Sequence, residues 1–295
     1  MEQIDYIDRE ICPACGSSDL QLFLTVQDHR VSKAFFPIAT CVPCGLRFTS
    51  RIPSKEQIGL FYKSDTYDSH RLDNNSLISR LYRLVRSWNI TNKTLLLSNY
   101  TVSGKVVDYG CGLGHLVRHL KSNGFNAEGY EIDDDVRHRA KSDLNLNIYP
   151  LEDFQKTPNA SVDVLMMWHV LEHVYDLKED FQQIVDKVAP NGVLFIAVPN
   201  FRAYDAKYYG KAWEAYDVPR HLYHFDDQSI EGFCSSYGLS LESKIPMRFD
   251  SYYVSMASER NLKNGFVLRG VAVGLWSNLL GRRNGYSSHV YIFRK

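Results

Sequence analysis

The sequence predicts an α/β protein with a largely parallel sheet, preceded by a small four-cysteine module. Three observations carry this. From Lys105 onward, strand-like and helix-like segments alternate. The first of those strands runs into a glycine-rich turn, Asp108-Tyr109-Gly110-Cys111-Gly112-Leu113-Gly114, that opens a helix-like stretch. Ahead of both, four of the six cysteines fall into two C-x-x-C pairs.

The module spans residues 1–53. Cys12-Pro13-Ala14-Cys15-Gly16 and Cys41-Val42-Pro43-Cys44-Gly45 are near-copies of one turn, with 25 residues between Cys15 and Cys41 and apolar stretches such as Leu20–Val26 among them. Four thiolates close a tetrahedral zinc shell and leave no open position for water. Cys12, Cys15, Cys41 and Cys44 are therefore expected to hold a structural Zn2+ in a zinc ribbon. Neither pair sits in the βαβ pattern that a redox C-x-x-C would want.

Residues 54–104 read as a helical connector. Leu77, Leu81, Leu84, Val85 and Trp88 recur at helical spacing, with Arg80, Arg83 and Arg86 between them. Those arginines are either a solvated face or a contact for an anionic substrate.

Residues 105–295 form the main domain. Expected strands are Lys105–Tyr109, Ala127–Ile132, Leu146–Leu151, Val162–Trp168 and Val193–Val198, with Leu239–Ile245 and His289–Phe293 completing seven. A glycine-rich turn between strand and helix lets a ligand lie against the backbone at the helix N-terminus. Such a turn could serve a dinucleotide. Here the spacing is G-x-G-x-G, through Gly110, Gly112 and Gly114, and Asp108 stands two residues before the first glycine. A carboxylate there repels a pyrophosphate and suits a cationic methionine moiety. Glu131, 23 residues after Asp108, ends the second strand and could accept from both ribose hydroxyls, or could be one more solvated acid in Glu131-Ile132-Asp133-Asp134-Asp135.

Val106 to Gly114, Gly129-Tyr130-Glu131-Ile132-Asp133, Ser161-Val162-Asp163-Val164 through His169-Val170-Leu171-Glu172-His173, and Pro190-Asn191-Gly192-Val193-Leu194 together resemble the motifs of class I S-adenosylmethionine-dependent methyltransferases. The resemblance runs from about Lys105 to the C-terminus. It implies a Rossmann-like seven-stranded methyltransferase sheet, S-adenosyl-L-methionine as cofactor, backbone around Leu151 and Glu152 flanking the adenine, and His169 beside the cofactor.

Methyl transfer needs a base only when the acceptor must lose a proton, and histidine is the natural candidate near neutral pH. Two clusters offer one: His169-x-x-Glu172-His173, which could alternatively ligate a divalent cation, and His221-Leu222-Tyr223-His224. The second lies in Asp217-Val218-Pro219-Arg220-His221-Leu222-Tyr223-His224-Phe225, which resembles the Glu-His-x-x-Tyr-Phe segment of deoxysugar C-methyltransferases. Those enzymes also begin with a paired-cysteine module. Arg220 stands where they have Glu, and their large C-terminal domain has no counterpart here. The resemblance makes His221 the expected base, with His224 and His169 as further catalytic candidates. Trp213, Tyr216 and Tyr223 either wall a sugar-binding site or pack a cap over the sheet. Arg220 either grips a substrate anion or pins Asp217.

The 34 Lys and Arg balance the 34 Asp and Glu, so the formal net charge is zero. Balanced charge gives no general pull on polyphosphate, and an Asn-Pro-Pro-Tyr-type amine motif is missing; both count against an RNA methyltransferase. The N-terminus lacks the pattern of a signal peptide, and no stretch reaches the ~20 apolar residues of a membrane span. A cytoplasmic enzyme acting on a sugar or glycoconjugate, free or lipid-linked, is expected, with a quinone or phenol O-methyltransferase as the alternative. From Asp250 to the C-terminus seven Lys/Arg face two acids, a balance of +5, around the apolar run Gly270–Gly281. About 250–286 is expected to be a helical insertion. It either covers the sheet or reaches a membrane surface.

Overall fold

The computed structural model describes residues 4–62, 77–101 and 103–295, with backbone alone over 77–86. The side chains of the expected apolar face Leu77 to Val85 and of Arg80, Arg83 and Arg86 lie outside the described residues. Two compact units emerge: Met1–Tyr67 with Leu171–Asp180 and Ala197–Tyr291, and Asp68–Val170 with Phe181–Ile196 and Ile292–Lys295.

The first unit begins with β1 (Tyr6–Asp8), β2 (Leu20–Gln27), β3 (Phe35–Cys41), β4 (Arg47–Thr49) and β5 (Arg51–Pro53). β1 pairs with β5. β2, β3 and β4 form an antiparallel meander, and its fourth strand comes from far along the chain.

In the second unit, α1 (Leu77–Ser98) precedes β6 (Lys105–Tyr109), α2 (His115–Ser122), β7 (Asn126–Glu131), α3 (Asp134–Leu144), β8 (Tyr149–Pro150) and β9 (Val162–Trp168). β6 is flanked in parallel by β7 and β9, and β8 extends β7. Val106, Val107, Val164, Leu165 and Met167 are buried, as expected for parallel strands covered on both faces. The expected strand Leu146–Leu151 shrinks to β8. Pro150 has no N–H to continue a ladder, and a 3-10 turn starts at Leu151.

The chain continues through α4 (Leu177–Lys187), β10 (Val188–Pro199), α5 (Tyr204–Tyr209), β11 (Tyr223–His224), α6 (Asp227–Ser235), β12 (Ser240–Pro246), α7 (Arg248–Arg260), α8 (Val267–Asn284) and β13 (Ser288–Arg294). The seven-stranded sheet has the order β12-β13-β10-β9-β6-β7-β8. Asn191 N–H donates to the Lys295 carbonyl and Asn200 N–H to that of Ser287, so β13 runs against β10 and the sheet is mixed. This is the Rossmann-like seven-stranded methyltransferase sheet that the motifs imply.

In the first unit Trp213, Tyr216 and Val218 pack into one core with Val26, Phe36, Ile38 and Phe61. β11 is the fourth strand of the ribbon sheet: Tyr223 lies opposite Phe48, and His224 opposite Arg47. The segment expected to face substrate is thus also a piece of the N-terminal scaffold. The C-terminal insertion is the helix pair α7 and α8, and no described helix is long and apolar enough to cross a membrane.

Candidate functional site

The turn after β6 is shaped by what its glycines omit. Gly110 has φ +75°, and a Cβ there would stand 2.5 Å from a Val170 methyl. At Gly112 a Cβ would meet nothing within 4 Å, so the backbone there faces open space. Gly114, also at positive φ, caps α2. Glu131 folds back on this turn. Its Oε2 accepts the Gly112 N–H at 2.8 Å, and Oε1 accepts from Ile132 and Asp133 N–H at 2.9 and 3.1 Å. Three bonds on a carboxylate with about four acceptor positions leave room for a ligand hydroxyl.

Asp108 is 3% exposed, and its Oδ1 has no hydrogen-bond partner among the described residues. Burial pushes its pKa up to about 7 against the opposing pull of Lys93. An incompletely satisfied carboxylate beside an open glycine backbone fits a cationic ligand carrying hydroxyls, as S-adenosylmethionine does. Leu151 and Glu152 begin the 3-10 turn after β8, and His169 follows β9 in left-handed geometry, φ +58°. Sequence reasoning missed Lys93 on α1, whose ammonium lies 3.7 Å from the centre of the Trp168 ring. Nothing in its helical spacing marks it.

Cys12, Cys15, Cys41 and Cys44 converge as the paired spacing implies. Cys12 and Cys44 sulfurs are 3.6 Å apart, and those of Cys15 and Cys41 3.4 Å. A regular tetrahedron with zinc–sulfur bonds of ~2.3 Å has edges of ~3.8 Å, so the four thiols are gathered to nearly that size. Gly16 and Gly45 N–H groups bond the Cys12 and Cys41 carbonyls at 2.9 Å each, which closes the two matching knuckles. The donor set fits zinc.

The histidine clusters sort differently from their order in sequence. Glu172, His173 and His221 come together, with one ligand-type atom from each within 4.8 Å of the others. The His173 and His221 rings meet edge to face, centroids 4.6 Å apart. His221 Nδ1 is 2.8 Å from the Ala215 carbonyl. A carbonyl only accepts, so Nδ1 carries the proton and Nε2 the lone pair. Burial and the adjacent His173 hold the His221 pKa down at about 4, which keeps the ring neutral at physiological pH. Tyr62, unremarked in sequence, sets its hydroxyl 3.0 Å from His173 Nδ1.

Burial pushes His224 well below the ordinary histidine range. Its ring is closed in against Tyr216, with Nε2 3.3 Å from the Thr49 hydroxyl. These contacts belong to the strand pairing of β11. The three aromatic residues are all buried. Trp213 is 2% exposed and donates its indole N–H to Asp205 at 2.8 Å. Tyr216 packs edge to face on Trp213. Tyr223, 1% exposed, donates to the Tyr175 carbonyl at 2.9 Å.

Arg220, expected to grip an anion or pin Asp217, does the second and more. Its Nε and Nη2 reach Asp217 Oδ1 at 3.0 and 2.6 Å, Nη2 also reaches Asp28 Oδ1 at 3.1 Å, and Nη1 donates to the Phe61 carbonyl at 3.0 Å. With 1% exposure, this guanidinium is committed to the chain's own carboxylates. Burial opposes the charge on Asp217, and Arg220 beside it prevails, holding that carboxyl at about 2. Asp28 was invisible to sequence reasoning because its partner lies 192 residues away.

Comparison with known proteins extends the description. Residues 82–244 match a family described as a methyltransferase domain, more than half of the chain. Over 101 residues the chain is 27% identical to a ubiquinone biosynthesis O-methyltransferase of Rickettsia typhi, covering 32% of this chain and 41% of that one. The counterpart from Rickettsia prowazekii is 26% identical over 110 residues, 35% of this chain and 44% of its own length. The chain thus spans less than half of these curated relatives. Among solved structures, a putative sarcosine dimethylglycine methyltransferase from Galdieria sulphuraria superposes with TM-score 0.51 at 14% identity, over 73% of this chain and 87% of that one, and shares the fold. With its sheet order, its glycine turn and the match over residues 82–244, this chain belongs to the methyltransferase-domain family.

Proposed function

We propose that this protein transfers the methyl group of S-adenosylmethionine to a small-molecule acceptor, a sugar or glycoconjugate, at oxygen or at a carbon beside a carbonyl. When bound, S-adenosylmethionine supplies a methyl group on a sulfonium, an electrophile whose leaving group needs no acid. Asp108 would meet its cationic methionine part, the Gly110–Gly114 backbone would lie along it, and Glu131 would take its ribose hydroxyls. Leu151, Glu152 and His169 are the remaining cofactor candidates. The four cysteines would hold a structural zinc ion.

His221 would remove the acceptor proton. The observation that carries this reading is its tautomer. The Nδ1 bond to Ala215 leaves Nε2 unprotonated, and the low pKa keeps it so down to about pH 4. The acceptor O–H or C–H proton would pass to Nε2 as the new methyl bond forms and the bond from methyl to sulfur breaks. General bases typically contribute ~10²–10⁴ in rate. His221→Ala should therefore lower kcat about 100-fold or more with a nucleotide sugar or glycolipid acceptor, while calorimetry shows S-adenosylmethionine affinity nearly unchanged. If turnover and affinity both stay at wild-type values, the base assignment fails. Calorimetric binding of NAD in place of S-adenosylmethionine would remove the donor assignment itself.

A second reading has its own observation. The Glu172, His173 and His221 ligand atoms lie within 4.8 Å of one another, and the curated relatives are named as ubiquinone biosynthesis O-methyltransferases. On that reading the acceptor is a phenol or quinol, and His221 Nε2 ligates a divalent cation. Activity would then vanish on brief EDTA treatment and return with magnesium, the zinc content remaining constant. Activity indifferent to magnesium leaves Nε2 available as the base.

A further inference from the structure

The outer face of α8 inverts the usual pattern of a surface helix, which buries its large apolar side chains and shows polar ones. Gly270, Val273, Gly274, Ser277 and Gly281 are the residues turned inward, so only one of the five carries a large apolar side chain. A Cβ on Gly270 would stand 2.7 Å from the Met256 Cα, and one on Gly274 2.8 Å from the Tyr252 Cα, so α8 lies backbone to backbone on α7. Ser277 donates to the buried Asp205 at 2.6 Å. Most of the large side chains point away: Leu268, Val271, Leu275 and Leu279 follow one another at spacings of three and four, flanked by Phe266 and Trp276, and all six are exposed. Leu268 is 66% exposed, Trp276 55% and Leu279 61%.

Cations stand at both ends of this stripe. Exposed Lys263 precedes the helix, and exposed Arg282 and Arg283 close it. Among the described residues, no acid forms an ion pair with Lys263, Arg282 or Arg283. Between residues 248 and 286 the only carboxylates are Asp250 and Glu259, and Glu259 is buried on Arg269, the Tyr209 hydroxyl at 2.8 Å and the Phe266 N–H at 2.9 Å. Stacking two copies of this face in either direction would therefore set cations against cations or against apolar side chains. An anionic phospholipid surface offers what the face lacks, headgroup charge for the arginines and acyl chain for the leucines.

We infer that α8 is an interfacial helix that lies in the plane of an anionic phospholipid bilayer, with Leu268, Leu275, Trp276 and Leu279 inserted and Lys263, Arg282 and Arg283 at headgroup level. It lies in the surface and does not cross it, since no described helix is long and apolar enough to span. This rests on the α7–α8 pair alone and is independent of which acceptor is methylated.

The test is sedimentation of the full chain with vesicles of equal parts phosphatidylglycerol and phosphatidylcholine, and with phosphatidylcholine alone. The anionic vesicles should carry the protein down, and the neutral ones should carry much less. Binding should weaken with salt as charges are screened. Arg282→Ala with Arg283→Ala should weaken it about 25-fold, from roughly 1 kcal/mol per basic residue near such a surface. Leu275→Glu with Leu279→Glu should abolish it while the melting curve stays at wild type, because both positions are exposed. Vesicle addition should shift tryptophan emission to the blue, and Trp276→Phe should remove that shift. The inference is overturned if the intact chain stays in the supernatant, or if the glutamate pair binds as well as wild type. A concentration-dependent dimer that the glutamate pair dissolves, with no vesicle binding, would overturn it in favour of a second copy.

Discussion

The turn around Asp108 and the segment from Asp217 to Phe225 are both rich in polar residues expected to touch ligands, yet their accounts close differently. In the second segment the polar side chains largely find partners inside their own unit. Arg220 spends its donors on Asp217, Asp28 and the Phe61 carbonyl, Tyr223 donates to Tyr175, and His224 meets Thr49. Around Asp108 the account stays open: Oδ1 is buried without a hydrogen bond among the described residues, and Gly112 faces space that a Cβ would not fill. Leaving a buried polar atom unmade costs more than a made bond returns, so an open account in a folded chain points to something that closes it. A closed account points to architecture. His221 is the intermediate case, with one ring nitrogen bonded to the Ala215 carbonyl and its lone pair on the other.

The largest effect that would break this comparison is on the closed side. Arg220→Ala should leave Asp217 and Asp28 as buried carboxylates without their shared cation and destabilise the protein by about 3–5 kcal/mol, the usual consequence of removing one partner of a buried ion pair. The readout is chemical denaturation. If Arg220→Ala instead unfolds like wild type and raises KM for the acceptor, the guanidinium serves substrate and the contrast collapses.

On the open side, Asp108→Asn keeps the shape and removes the charge. S-adenosylmethionine affinity should fall between ~10-fold and ~100-fold by calorimetry, the range for a lost hydrogen bond to a charged group. Stability should hold or rise, because burial already penalises this carboxylate and pushes its pKa to about 7. Binding a cation there should favour the ionised form. Affinity should therefore weaken as pH falls below about 7, by up to tenfold per unit, and a flat profile from pH 8 to 6 would count against the contact.

Much of this was legible in sequence where partners are near neighbours along the chain or where a residue type dictates a backbone. The Val162–Trp168 strand, the Gly110–Gly114 turn and the two cysteine knuckles are of that kind. What sequence could not supply was long-range pairing. Tyr223 reads in sequence as either a substrate wall or packing and His224 as a catalytic candidate, and nothing local reveals that Phe48 and Arg47, more than 170 residues earlier, pair with them as a strand of the ribbon sheet. The same distance hid Asp28 from Arg220. The grouping of His221 with Glu172 and His173, leaving out His169, is likewise a product of three-dimensional folding. Strand β8 starts three residues later than the expected Leu146 and ends at Pro150, because pairing with β7 reaches only Tyr149 and Pro150.

Acid sharpens the comparison further. His221 has its folded pKa lowered from 6.5 to about 4, so below pH 6.5 the unfolded chain takes up a proton that the folded chain refuses. Stability should fall through that window by roughly 1.4 kcal/mol per pH unit for such a group. Asp217, lowered from 3.8 to about 2, contributes stability that is intact above pH 4 and lost between 4 and 2. His221→Gln should make the first window shallower by that one-proton slope, since His224 and His289 are also lowered by burial and keep the remainder, and leave the second. Urea midpoints collected from pH 7 to pH 3 separate them. A wild-type slope unchanged in His221→Gln would mean that the ring is not buried neutral.

The smallest effect tests the closed side where it is least protected. Tyr223 lies under the Arg9 guanidinium, 5.2 Å from its ring centre, and Arg9 Nη2 reaches its hydroxyl at 3.2 Å while that hydroxyl donates to the Tyr175 carbonyl. Phenylalanine keeps the ring and its packing and deletes one oxygen. If the hydroxyl is purely architectural, Tyr223→Phe should lose about 1–2 kcal/mol, the net value of its two hydrogen bonds, and leave both kcat and KM unchanged. A hydroxyl that touches acceptor would give the reverse, a raised KM or lowered kcat out of proportion to the stability change. Because substitution removes the same atom in either case, only the split between unfolding and kinetics separates the two, and Tyr223 is the position where that split is cleanest: its ring contacts survive the change, and a single hydroxyl is at issue.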